Sequence, residues 1–262
     1  MCIILFAYKT HPKYKLVLAA NRDEYFARPT ARVAFWKDEP GILAGRDLER
    51  GGTWLGVTRN GRYAAVTNFR DSSTIKPGAP SRGFLVSDFL HSEQSPADYL
   101  ASIAPISETY NGFNLIVGDG IGLFYHSNKD PETKVLTPGV YGLSNHLLDT
   151  PWPKVEKGKQ ALSELAHQDA EIAHEAVFDM LADHAQADDS LLPYTGISLE
   201  YERALSSIFI STPAYGTRSS TVLLIDLEDR ITFIERTFEM SVRSADTTFQ
   251  LQGSSSVVSS SG

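Results

Sequence analysis

Short runs of apolar residues, separated by polar turns, fill the first part of the chain and predict β-strands rather than helices. The first two runs, residues 1–8 and 14–24, are joined by the polar segment Lys9–Lys13. With that segment as a hairpin turn, paired residue numbers sum to about 22, so Cys2 is expected opposite Ala20. Three polar residues follow Ala20 and should emerge beside the cysteine: Asn21, Arg22 and Asp23.

A second hairpin is indicated by Asn60-Gly61, a pair typical of a type I′ turn. It predicts pairing of Thr53–Thr58 with Arg62–Phe69, which places Asn68 opposite Thr53 and beside Trp54.

Helical spacing of apolar residues appears twice, each time as a pair of segments, and strands return between and after the pairs. The predicted helices begin at Ser81 and at Ser95, and later cover about 154–166 and 170–184. The predicted later strands are 113–118, 122–126, 140–144, 207–211, 220–226 and 231–236. Because strands and helices do not alternate one by one, we expect an α+β protein, a four-layer αββα sandwich of two mainly antiparallel sheets with helices outside. A single-sheet α+β fold is the alternative.

Composition fits one domain. The chain has 262 residues, of which 42% are hydrophobic and 21% charged, and no linker interrupts its middle. We expect a single domain over residues 1–241 and a disordered Ser-rich tail over residues 242–262.

The net charge limits which binding partners are expected, and the cysteine count bears on the cellular compartment. The formal net charge is -8 without a basic cluster, which argues against nucleic acid and anionic membranes. The apolar run near the N-terminus is too short for a transmembrane segment. A single cysteine excludes an intramolecular disulfide, so a cytoplasmic location is the natural prediction.

Cys2 is the candidate nucleophile. It follows Met1, which processing normally removes ahead of a small residue, so mature Cys2 would carry a thiol and a free α-amine. An α-amine with a reference pKa near ~8 can act as a base at neutral pH without a histidine. The alternative is a small apolar residue that begins a buried strand.

Several motifs, taken in order, resemble the NRDE family, also called the transport and Golgi organisation 2 family. They are Met1-Cys2, Asn21-Arg-Asp-Glu24, Gly45-Arg-Asp47, Gly51-Gly-Thr-Trp-Leu-Gly56, Thr67-Asn-Phe-Arg70, Leu143-Ser-Asn-His146 and Gly216-Thr-Arg-Ser-Ser-Thr221. The resemblance covers roughly residues 1–240 and implies the fold of the N-terminal nucleophile hydrolases. A more distant similarity is to their cysteine branch, which includes penicillin V acylases and bile salt hydrolases.

This resemblance implies a role for five residues. Cys2 would be the nucleophile and Asp23 would hold its amine, while Asn68 and Asn145 would form the oxyanion hole and Arg218 would lie near the sulfur. Those hydrolases carry an arginine where this chain has Ala20. Arg22, in strand geometry, is expected to point to the other face.

Two classes of function follow from the resemblance. The first is a hydrolase that needs no cofactor and acts through Cys2 on a small-molecule amide or acyl substrate. The second is a non-catalytic carrier, because the family has been linked to haem trafficking, to lipid or acyl-CoA handling and to secretory-pathway organisation. The carrier would hold haem or an acyl lipid in the same cleft. Candidate ligand-binding residues are Asn21, Arg22, Trp54, Phe69 and His146, and no metal site is predicted.

Overall fold

The computed structural model describes residues 2–168 and 170–253. Thirteen strands are found in that part of the chain: β1 (Cys2–Tyr8), β2 (Tyr14–Tyr25), β3 (Thr30–Phe35), β4 (Ile42–Asp47), β5 (Leu55–Thr58), β6 (Tyr63–Asn68), β7 (Phe113–Gly118), β8 (Leu123–Ser127), β9 (Asp130–Val135), β10 (Gly139–Leu143), β11 (Tyr215–Asp226), β12 (Arg230–Glu239) and β13 (Val242–Gln252). Sheet A has six strands in the order β10-β1-β2-β11-β12-β13, and sheet B has seven in the order β3 to β9. Every pairing between neighbouring strands is antiparallel.

Helices cover the outer face of each sheet. They are α1 (Gly83–His91), α2 (Pro96–Ile103), α3 (Pro153–Ala166), α4 (His174–Leu181) and α5 (Leu199–Ala204). α1 and α2 contact strands of sheet B, while α3 and α4 contact strands of sheet A. Ser95 caps α2 by accepting a hydrogen bond from the backbone of Asp98, and Pro96 occupies the first turn, as the sequence predicts.

Three separate apolar layers hold these elements together. Phe6 and Phe233 belong to the layer between the sheets. Phe89 lies in the layer between sheet B and its helices, and Leu162 in the layer between sheet A and its helices. Three apolar layers require four layers of secondary structure, so the predicted αββα sandwich is confirmed.

The register of the first hairpin differs from the prediction by two residues. Cys2 pairs with Arg22, and Tyr8 pairs with Leu16. The backbone N–H of Lys9 donates to the carbonyl of Lys15, so this bond encloses residues 10–14, one position further along the chain than the predicted turn. Side chains alternate with a period of two along a strand, so this shift keeps each residue on its expected face but brings Arg22 directly opposite Cys2.

The second hairpin is shifted by one residue. Leu55 pairs with Ala65, and Thr58 donates its backbone N–H to the carbonyl of Arg62, so the loop has one residue more than a type I′ turn. Gly61 alone in this turn has a positive φ, 84°, as in a three-residue loop that ends in a left-handed residue. The Asn-Gly pair located the turn correctly, but it gave the wrong turn type.

Some predicted boundaries were wrong. Residues 207–211 form no strand, and only Ser211 makes an isolated bridge, to Gly216. The last helix of the second pair is shorter than predicted, covering His174–Leu181. The strands β3 and β9 were missed.

The predicted disordered tail is wrong over residues 242–252, which form β13 and pair with β12. Its half-buried residues alternate with exposed ones from Ala245 to Leu251, and Phe249 and Leu251 pack on the core between the sheets. The many Ser and Thr residues concealed this alternation in the sequence. The rest of the predicted tail, residues 254–262, lies outside the described residues.

No helix in the described part of the chain is long and apolar enough to cross a membrane.

Candidate active site

Cys2 begins β1 and lines a cavity of about 260 Å³ at one end of the sandwich. Its pairing with Arg22 brings the backbone of Asp23 within reach, and that backbone forms a hydrogen bond to the thiol. Burial raises the pKa of the Cys2 thiol, and the positive charges of the N-terminus and of Arg22 act in the opposite direction. A neutral thiol in this position needs a base before it can attack a substrate.

Asp23 is a buried carboxylate beside this thiol, with 2% of its surface exposed. The hydroxyl of Thr217 donates to its Oδ1 at 2.8 Å, and the hydroxyl of Tyr215 donates to its backbone carbonyl at 2.9 Å. Burial raises the pKa of Asp23 to about 6, although the N-terminal charge and the ammonium of Lys154 lower it. A buried carboxyl group with a perturbed pKa that lines a cavity is a candidate functional group.

Asn68 and Asn145 are adjacent but have different surroundings. Asn68 ends β6 and lines the cavity. Asn145 is fully buried, does not line the cavity, and donates from Nδ2 to the backbone carbonyl of Asn68 at 2.9 Å. The backbone N–H of Arg70 in turn donates to the carbonyl of Asn145 at 2.7 Å. Asn145 therefore fixes the backbone that presents Asn68.

Arg218 does not line the Cys2 cavity. It lies at a register shift between β11 and β2, where Thr217 and Ser219 pair with Asp23 and Arg22 and Arg218 has no strand partner. Its Nη1 donates to three backbone carbonyls, those of Tyr25, Phe26 and Arg28, at 2.9, 3.2 and 3.1 Å. The side chain lines a neighbouring cavity of about 120 Å³. Its observed contacts are those of a residue that holds the loop after β2.

Arg22 and Trp54 separate these two cavities and line both of them. The Arg22 guanidinium lies over the indole ring, 4.1 Å from its centroid. Gly45 packs so closely against the indole that a Cβ at that position would clash with it. The prediction that Arg22 points away from Cys2 is wrong, because the hairpin register makes the two residues direct cross-strand neighbours.

Three predicted ligand-binding residues lie elsewhere. The Asn21 side chain is fully buried on the helix side of sheet A and donates to the carbonyls of Leu181 and Ile208, so its role is structural. Phe69 and His146 do not line the cavity; their rings pack against each other with centroids 4.7 Å apart. Burial lowers the pKa of His146, whose Nδ1 is 2.8 Å from the Thr150 hydroxyl.

A family model described as Transport and Golgi organisation 2 matches residues 1–240. The chain belongs to that family. A mouse Transport and Golgi organization 2 homolog is 38% identical over 256 residues, covering 90% of this chain and 92% of the mouse protein. The Drosophila melanogaster Transport and Golgi organization protein 2 is 30% identical over 260 residues, covering 90% of this chain and 92% of the fly protein.

Two solved structures show the fold of this member of the Transport and Golgi organisation 2 family. The Caenorhabditis elegans N-acylethanolamine-hydrolyzing acid amidase ortholog has a TM-score of 0.53 at 10% identity, covering 85% of this chain and 92% of that chain. A mutant conjugated bile acid hydrolase from Clostridium perfringens has a TM-score of 0.53 at 8% identity, covering 95% and 92%. The expected N-terminal nucleophile hydrolase-like fold is thereby confirmed.

Sequence reasoning missed a second group of buried charges behind Asp23. Lys154, in the first turn of α3, is 3% exposed and donates from Nζ to the carbonyl of Leu205 at 2.9 Å. Burial lowers the pKa of Lys154 to about 8, and the charge of Asp23 raises it. Arg70 and Glu202 form a buried ion pair at 2.9 Å that also acts on Lys154. No periodicity marks Lys154 as buried, because a lysine in a first helical turn is usually solvated.

Among the described residues, no group of three or more His, Cys, Asp or Glu side chains is arranged to hold a metal ion.

Proposed function

We propose that this protein is an N-terminal nucleophile hydrolase in which Cys2, after removal of Met1, attacks a small-molecule amide or related acyl bond. The observation that carries the proposal is the arrangement around one sulfur. The thiol lines a cavity, the backbone of Asp23 forms a hydrogen bond to it, and Asn68 lines the same cavity. The fold shared with two amide hydrolases supports this assignment but does not by itself give the reaction.

In the first step the Cys2 α-amine takes the thiol proton while the sulfur forms a bond to the acyl carbon. The electron pair of the carbonyl double bond moves to its oxygen, and the side-chain amide of Asn68 would donate to that oxyanion. The C–N bond then breaks, and the leaving nitrogen takes the proton from the ammonium. Water hydrolyses the remaining thioester, which releases a carboxylic acid and restores the thiol.

Asp23 has the role of holding the protonated amine. Thr217 and Tyr215 fix its position through hydrogen bonds to its carboxylate and to its backbone. A carboxylate that accepts a hydrogen bond from an ammonium stabilises the charged form and orients the nitrogen towards the sulfur. Asn145 would act indirectly, by holding the backbone of Asn68.

Intact mass spectrometry of the natively expressed protein tests this proposal. We expect the mass of the chain without Met1 and, after addition of an acyl thioester or an acyl p-nitroanilide, a transient acyl adduct that Cys2→Ala lacks. Since Cys2 is the only cysteine of the chain, a thiol adduct reports on this one residue. Retention of Met1 in the active protein would contradict the α-amine mechanism.

Haem or acyl-lipid carriage by the same cleft stays a prediction, as do haem trafficking and a cytoplasmic location. His146, the candidate haem ligand, packs between Phe69 and Trp152 and does not line the Cys2 cavity. A haem titration distinguishes the two functions. The carrier function predicts saturable binding at micromolar haem, about 8 kcal/mol of binding free energy, with a Soret band that changes in His146→Ala or Cys2→Ala. Binding that is unsaturable or independent of both residues would contradict it.

A further inference from the structure

The charges that line the Cys2 cavity are not evenly neutralised. Eight charged side chains line it, four of each sign. Three of the carboxylates face Arg28, whose guanidinium lies 3.8 Å from Glu24, 2.7 Å from Asp47 and 3.4 Å from Glu49. These three carboxylates therefore share one positively charged partner, the guanidinium of Arg28.

Arg22 and Arg82, which line the same cavity, differ from Arg28 in their ion pairing. Within the described residues, neither guanidinium lies within 4 Å of a carboxylate oxygen, the limit for an ion pair. Arg22 is 6% exposed, and its buried Nη1 has no hydrogen-bond partner among those residues. Leaving a buried guanidinium nitrogen unsatisfied is costly, so this nitrogen is suited to an acceptor from outside the described residues, such as an anionic ligand.

Arg82 lies on the α1 side of the same cavity. It precedes the first turn of α1, which contains no acidic residue, so the positive end of the helix dipole adds to its charge. One nitrogen, Nη1, donates to the carbonyl of Gly112 at 3.0 Å and anchors the side chain. Arg82 and Cys2 line the same cavity, and the charges of Cys2 and Glu24 act on the Arg82 guanidinium.

From this placement we infer that the Cys2 cavity is an anion site: the substrate carries a carboxylate or phosphate group bound by Arg82 and Arg22 beside the scissile acyl bond. The inference rests on the proposed function and specifies its substrate class. A cavity of about 260 Å³ has room for an acyl bond and one small acidic group. Two guanidinium groups offer the paired donors that carboxylate and phosphate oxygens accept.

Two alkylating reagents of nearly equal size test the site without knowledge of the substrate. Iodoacetate is an anion and iodoacetamide is neutral, and with both the Cys2 sulfur displaces iodide to form an S–CH₂ bond. Their rate ratio cancels the thiolate fraction, which affects both reactions equally. We expect the iodoacetate to iodoacetamide ratio at Cys2 to exceed that of 2-mercaptoethanol by roughly tenfold, the effect of about one nearby charge.

The Arg82→Gln variant should lose most of that preference while its iodoacetamide rate stays within a few fold of wild type. Arg82→Lys, which keeps the charge, should retain part of it. Arg59→Gln is the matched control, because Arg59 lines the cavity at the opposite end of the sandwich. A ratio equal to that of 2-mercaptoethanol, or one unchanged in Arg82→Gln, would overturn the inference.

Protection of Cys2 from labelling by added anions then identifies which anionic group the site prefers. Acetate and inorganic phosphate should slow iodoacetate labelling of the wild-type protein, and the stronger protector names the preferred group. The outcome is independent of catalysis. Labelling of Cys2 without any turnover would contradict the proposed hydrolase while leaving the anion site in place, and turnover without a charge preference would do the reverse.

Discussion

The two ends of the sandwich each have a cavity, and the larger cavity is not the one that Cys2 lines. The larger cavity, about 910 Å³, lies among the hairpin turns, where β1 ends at Tyr8. Cys2, at the other end of the same strand, lines a cavity of about 260 Å³. Cys2 and Tyr8 are six residue steps apart along the strand, a distance of about 20 Å. The far end has the larger cavity, but the candidate nucleophile, Cys2, lines the smaller one at the near end.

The charged residues at these two ends also differ in their exposure to solvent. At the far end, Lys15 and Asp229 form an ion pair at 2.6 Å and both remain partly exposed to solvent. At the near end, Asp23 and Lys154 are both almost completely buried, and burial moves both pKa values towards neutrality. Buried ionisable groups are costly to fold and are typical of sites that move protons. Charge burial, and not volume, therefore marks the candidate active site.

The largest effect should come from the nucleophile itself. Cys2→Ala removes the sulfur, so turnover of any acyl substrate should fall on the order of 10⁴-fold or more. Initial rates on an active substrate measure this fall, with Cys2→Ser as the isosteric comparison. Residual activity above a few per cent in Cys2→Ala would place the chemistry elsewhere in the molecule.

The next effect concerns the oxyanion. Asn68→Ala should lower turnover about 10²- to 10³-fold, because it removes a donor to the charge that develops on the acyl oxygen. The control is Asn60→Ala, which removes the same side chain from the far-end cavity and should leave turnover unchanged. Steady-state kinetics on both variants decide the matter, and equal losses would contradict a specific role for Asn68.

Asp23→Asn should stabilise the fold while abolishing activity. Burial raises the folded-state pKa of Asp23 to about 6, so Asp23 favours folding fully only below its unfolded pKa, and that contribution is lost as pH rises through 6. At pH 7 the variant should gain on the order of 2 kcal/mol in unfolding free energy, and the gain should disappear near pH 4. Urea unfolding at both pH values measures it; a variant less stable at pH 7 contradicts the prediction.

Lys154→Met should move the pH dependence of the reaction. The Lys154 ammonium lowers the pKa of Asp23, so its removal raises that pKa above 6 and shifts the acidic limb of the rate profile to higher pH. Lys154→Arg keeps the charge and should keep the limb near its original position. If both variants lose stability but leave the limb unmoved, Lys154 has only a structural role.

The smallest effect is expected at the far end. Lys15→Met breaks a partly exposed ion pair with Asp229 and should cost less than about 1 kcal/mol of unfolding free energy, with turnover unchanged. Thermal unfolding and initial rates measure both quantities. A loss of turnover would show that the two ends are coupled.

Periodicity indicated strands and helices in an order that fits a two-sheet sandwich, although it left a single-sheet α+β fold as the alternative. Hairpin registers were harder, since loop length sets them and one extra residue at Gly61 changes the turn type. A register shift of two residues does not change the face on which a residue lies, so the error for Arg22 was in its assigned face: position 22 lies on the same face as position 20, opposite which Cys2 was expected. Cys2, Asp23 and Asn68 were placed together from the family resemblance.

The rest of the site depends on contacts that no local pattern encodes. Lys154 and Arg82 come from helix termini more than fifty residues from Cys2 in the sequence, and only the packing of α3 and α1 brings them to the same end. Arg218 is the opposite case, because the sequence placed it in the site and the structure places it outside the Cys2 cavity. Its motif resembles that of the hydrolases, but a register shift places its side chain on the loop after β2.

The strand β13 has a consequence for how this domain can be shortened. The family match ends at residue 240, and β13 begins at Val242. Without it, the outer backbone groups of β12 would form an unpaired sheet edge, with Ile231 and Phe233 beneath it. Such an edge recruits strands from other molecules, whereas β13 presents Arg243 and Asp246 to solvent and discourages them. A domain cut at the boundary of the family match would therefore be expected to aggregate.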